Sequence, residues 1–126
     1  MRSRKKGFTL IELLVVMSVI ATLLTIAVPR YFQHLDRARE ASLRESLAVM
    51  RDAVDKFRAD TGRYPETLEE LVTKRYLRKV PSDPITESTE TWVIVPPPDE
   101  PGQRKVWDIH SGAEGQGQNG SEYSTW

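Results

Sequence analysis

Glu12 is the only ionisable side chain between Phe8 and Val28. Placing a carboxylate in a bilayer costs about 2.5–3.5 kcal/mol on insertion scales, so an acid inside such an apolar run marks a functional candidate. A plainer reading leaves it hydrated at the interface, because it follows Gly7 by only five residues. The other residues with chemical potential lie far along the chain. Asp108, His110 and Ser111 are the residue types of a hydrolytic triad. As neighbours on one extended run their side chains alternate in direction, which opposes the ordered nucleophile–base–acid contacts that the chemistry needs. His34 and His110 have no metal-ligand spacing. There is no cysteine, which excludes disulfides, thiolate zinc sites and cysteine nucleophiles. No P-loop pattern is present either. The residues therefore point away from an enzyme and toward a chain that acts through its surfaces.

The elements that position Glu12 are legible. Arg2, Arg4, Lys5 and Lys6 form a basic head before Gly7. The apolar run from Phe8 to Val28 follows, and as a helix it extends about 30 Å, the thickness of a bilayer's hydrocarbon core. The positive flank keeps the head cytoplasmic and sends the rest to the other side of the membrane. Pro29 ends the uninterrupted apolar run and leaves open a break in the helix there. Beyond it Leu43, Leu47, Met50, Val54 and Phe57 recur at steps of four and three, one face of an amphipathic helix. That face serves either a coiled-coil partner or the chain's own globular part, and the second is expected. Gly62 supplies a stop, so one long helix is expected from about Phe8 to Asp60.

The remainder reads as a small domain. Thr67 with Glu70 is a capping-box signal for a short helix over about 67–77. Residues 91–95 and 104–109 are rich in β-branched and aromatic types and predict an antiparallel hairpin laid on the helix stripe. Trp92 and Trp107 are expected as core or sheet anchors. Residues 112–120 carry four glycines and read as a loop, closed by Tyr123 and Trp126. The 126 residues include 18 basic and 18 acidic side chains; without residues 1–7, four basic groups go and 14 face 18. That balance gives no reason to expect nucleic-acid binding.

Lys5-Lys6-Gly7-Phe8-Thr9-Leu10-Ile11-Glu12 resembles the leader signal of type IV pilins and type II secretion pseudopilins. Thr61-Gly62-Arg63-Tyr64-Pro65 and Val80-Pro81-Ser82-Asp83-Pro84 resemble the two successive turns of the major pseudopilin family. The resemblance implies an α+β, type IV pilin-like fold: a long N-terminal helix, membrane-spanning in its first half, packed on a small antiparallel sheet with a C-terminal loop. It implies residues 1–7 as a leader removed by prepilin peptidase, 8–29 as the transmembrane and filament-core helix, and 30–126 as a periplasmic domain. Cleavage would fall between Gly7 and Phe8, with N-methylation of Phe8. Glu12 would then neutralise the new amine of a neighbouring subunit and set axial register.

The implied protein is a structural subunit of the type II secretion pseudopilus, anchored in the inner membrane by a single pass and polymerising in the periplasm. Its implied partners are copies of itself, other pseudopilins, the peptidase, an inner-membrane assembly platform and the membrane. The alternatives are a type IV pilin subunit, serving adhesion, motility or DNA uptake, and a membrane-anchored periplasmic binding domain that never polymerises. Ser111-Gly112-Ala113-Glu114-Gly115 resembles the family's calcium loop with one residue fewer and Glu in place of Asp. The resemblance implies calcium ligands at Glu114, Asn119 and Asp108, with Glu122 nearby. The alternative for this loop is closure by glycine turns and the Tyr123 and Trp126 anchors alone.

Overall fold

The structure, a computed structural model, describes residues 7–100 and 102–126. Residues 1–6 of the expected leader lie outside the described residues. The elements in order are α1 (Leu10–Thr61), α2 (Leu68–Thr73), β1 (Trp92–Val95), β2 (Asp108–Ser111) and a 3₁₀ turn over Tyr123–Thr125. This is an α+β fold with a long N-terminal helix and a two-stranded antiparallel sheet, as the pilin-like resemblance implies. The chain divides into two compact units, one ending at Leu35 and the other Asp36–Trp126.

In the first unit α1 is long and apolar enough to cross a membrane. All its large apolar side chains from Leu10 to Phe32 are exposed. Its hydroxyls are satisfied within the helix: Ser18 Oγ donates to Leu14 O, Thr22 Oγ1 to Ser18 O and Thr25 Oγ1 to Thr22 O. Such local bonds give each of these three hydroxyl donors a backbone acceptor within the helix. Pro29 lies inside α1, so of the two options left open there the helix takes the uninterrupted one. One proline removes one donor, and the helical hydrogen bonding resumes on both sides of it.

In the second unit the stripe of α1 is buried as its spacing requires. Leu43, Leu47, Met50, Ala53, Val54 and Phe57 join Leu68, Leu71, Leu77, Trp92, Val106 and Ile109 in one core. Gly62, at φ +79°, ends α1 in the left-handed region that a non-glycine residue resists. Helix α2 opens on Thr67, whose Oγ1 accepts Glu70 N–H at 3.1 Å. The returning carboxylate bond goes to Glu66 N–H rather than to the cap residue itself.

Helix α2 is shorter than the expected 67–77 because a Schellman turn closes it. Tyr76 N–H and Arg75 N–H donate back to Leu71 O and Val72 O, and Arg75 takes φ 65°.

The sheet pairs Trp92 with Ser111, Val93 with His110, Ile94 with Ile109 and Val95 with Asp108. Its second strand lies later than the expected 104–109. Val106 N–H donates to Pro65 O at 2.8 Å, so residues before Trp107 serve the turn after α1 instead of the ladder. Trp92 is buried with its Nε1–H on Pro81 O. Trp107, expected as an anchor, is 41 % exposed; Val106 takes the core position beside it.

Candidate functional site

The first candidate site is the start of α1. Gly7 has open space where a Cβ would stand, so packing does not demand a glycine there. Phe8 is 88 % exposed. Thr9 caps the helix: its Oγ1 accepts Glu12 N–H at 3.2 Å, and Glu12 Oε2 accepts Thr9 N–H at 3.4 Å. This is a reciprocal capping box, Thr-x-x-Glu. It satisfies two otherwise orphaned donors and holds the carboxylate at the end of the helix where the macrodipole favours negative charge. Thr9 was not singled out from the sequence, although its spacing from Glu12 is the one read correctly at Thr67 and Glu70.

The C-terminal loop is the second. Arg51 of α1 donates from Nε to Asp108 Oδ1 at 2.8 Å and from Nη2 to Ile109 O at 2.8 Å and to Trp126 O. Asp108 Oδ1 also accepts Ile109 N–H. Asn119 Oδ1 accepts both the N–H and the hydroxyl of Ser121. Glu114 is exposed, and Glu122 Oε2 accepts Ser124 Oγ. Among the described residues no three acidic or histidine side chains gather as a metal set. Asp108 is thus engaged by a guanidinium and Asn119 by Ser121, whereas a calcium ion takes six to eight oxygens.

Further contacts fasten the loop to α1. Glu40 Oε1 accepts Gln118 N–H at 2.8 Å and the Tyr123 hydroxyl at 3.3 Å. Burial, and then the Glu40 carboxylate, push the Tyr123 phenol above its ordinary value. The Arg44 guanidinium sits 4.3 Å from the centroid of the Trp126 ring. A Cβ on Gly117 would lie 2.4 Å from that ring, so only glycine admits this approach. A groove of about 380 Å³ opens here between Arg44, Leu47, Arg51, Ser121 and Trp126.

The triad residue types diverge. Asp108 and His110 approach to 3.7 Å on one face of β2. Ser111 turns to the other face, where its hydroxyl donates to Asp83 Oδ2 at 2.5 Å. The nucleophile thus points away from the base.

Two family models match the chain. One, described as the prokaryotic N-terminal methylation motif, covers residues 2–28, and one described as type II secretion system protein G covers residues 30–125. Among relatives bearing the name type II secretion system core protein G, that of Pseudomonas aeruginosa is 28% identical over 99% of this chain and 97% of its own. That of Pectobacterium carotovorum is 28% identical over 98% and 85%, and that of Escherichia coli 25% over 98% and 92%. No solved structure matches the chain.

Proposed function

This chain belongs to the type II secretion system protein G family, and from that membership we propose that it is a pseudopilus subunit that assembles through its N-terminal helix to support export of folded proteins. The observation that carries the reading is the coupling of a methylation-motif N-terminus with a protein G domain in one chain. Both matches favour this over a type IV pilin and over an anchored domain that stays monomeric.

Prepilin peptidase removes residues 1–7 and methylates Phe8. The exposed Gly7–Phe8 segment ahead of the helix supports this, because a protease needs extended, accessible backbone. Cleavage creates an α-amine, a group that carries a positive charge in its ammonium form. The capping box holds the Glu12 carboxylate toward that same end of the helix. In an apolar filament interior a lone ammonium and a lone carboxylate each carry a heavy desolvation cost, and pairing them between subunits offsets it. Only registers that bring amine and carboxylate together escape this cost, which is how one residue sets the axial repeat.

Before assembly the apolar half of α1 holds the subunit in the inner membrane, with residues 36–126 on the periplasmic side. Other pseudopilins and an inner-membrane assembly platform are its partners. Glu12→Ala tests the mechanism: processed protein should accumulate while filaments vanish. Normal filament yield from this variant, or cellular protein that retains residues 1–7, would overturn the reading.

A further inference from the structure

One carboxylate oxygen and two main-chain oxygens converge on the Arg51 guanidinium: Asp108 Oδ1, Ile109 O and Trp126 O. Carboxylate plus carbonyl oxygen is the donor chemistry of a hard divalent cation. Here a fixed cation of the protein already holds those oxygens. A second cation on the same donors would meet the guanidinium's charge at close range. Two further side-chain oxygens at the loop also accept hydrogen bonds from the protein. Asn119 Oδ1 is filled by Ser121, and Glu40 Oε1 by Gln118 N–H and the Tyr123 hydroxyl. The loop's end is further fixed by Arg44 on the Trp126 ring and by Trp126 Nε1–H on Ser121 Oγ. Every one of these ties is direct, from α1 or from within the loop.

We infer that the C-terminal loop folds and is held without a bound metal ion, Arg51 serving as its internal cation. The inference does not depend on filament assembly, since a chain that never polymerised would carry the same clamp.

The experiment uses the full-length protein in detergent micelles, compared in millimolar calcium chloride and in EGTA. Its two readouts are thermal stability and hydrogen exchange of residues 112–126. The expected result is the same Tm and the same exchange in both buffers. A specific site filled a hundredfold above its Kd would instead raise Tm by about 10 °C, and a shift of that kind, or calcium-dependent protection of the loop, overturns the inference. Arg51→Gln should lower Tm by about 5 °C or more and speed loop exchange in either buffer. Arg51→Lys, which keeps the charge but loses the planar fork, should fall between. Unchanged loop exchange in Arg51→Gln also overturns the inference. Should that variant not fold, Asp108→Asn reads the clamp with the guanidinium in place: faster loop exchange supports it and unchanged exchange sinks it.

Discussion

Asp83 is a fully buried carboxylate with all its bonding met by hydrogens. Its Oδ1 accepts Ile85 N–H and Thr86 N–H, and its Oδ2 accepts the Ser111 hydroxyl. The residue thus ties the turn after α2 to the end of β2. Removing it strands two amides and a hydroxyl, each costing about 1–3 kcal/mol when buried. Asp83→Ala should therefore lower stability by about 3 kcal/mol or more in urea melts, and Ser111→Ala by about half as much, since the carboxylate keeps its amides. A second residue-scale test is a pH series. The Arg63 hydrogen bond, then the Glu66 N–H, hold the Glu70 carboxyl below its usual range. A depressed carboxyl stabilises fully above its unfolded value, and that contribution is lost as pH falls through the lower folded value. Melts from pH 7 to 3 should show a loss beginning below about 4.3, and Glu70→Gln should flatten that part of the curve. In the sequence Asp83 reads only as turn chemistry. Its second role depends on Ser111, 28 positions later, and no local pattern reports such a partner.

The helices were legible because their periods and caps are local. Leu43 to Phe57 show the stripe and Thr67 with Glu70 the start of α2, so sequence and structure agree at those points. The end of α2 was not legible, because the closing residue is arginine rather than glycine. Arg75 sits at φ 65° with its N–H on Val72 O. A side chain in that region carries a steric cost of about 1–2 kcal/mol, partly offset for glycine by its larger unfolded-state freedom. Arg75→Gly should raise stability by roughly 0.5 kcal/mol, and Arg75→Val should lower it, both read from the denaturant midpoint. The second strand was misplaced for a different reason. Residues 104–107 have strand-like composition, but the bond from Val106 N–H to Pro65 O recruits them to the turn after α1. Composition registers extended backbone without saying which neighbour it will pair with.

At the scale of the whole molecule, the chain divides into two compact units, each with its own internal contacts, and that division predicts how mutations combine. The partners of Glu12 are the atoms of Thr9 in its own helix turn. The core of the other unit is built from residues between Leu43 and Ile109, with Phe57 fully buried in it. Effects at sites without shared partners add to within about 0.3–0.5 kcal/mol. Glu12→Ala should therefore abolish assembly while leaving the melting of residues 36–126 unchanged. Phe57→Ala should do the reverse, costing about 3–5 kcal/mol through the cavity it leaves, a large share of the total stability of a small domain. That subunit should still enter the membrane and still be cut after Gly7, because the capping bonds at the start of α1 run between Thr9 and Glu12 themselves. The double variant should melt where Phe57→Ala melts. Mass measurement of the mature N-terminus and a melting curve for each of the three proteins decide the matter. A Glu12→Ala destabilisation comparable to that of Phe57→Ala, or loss of cleavage in Phe57→Ala, would mean that folding of the domain and processing of the helix are coupled.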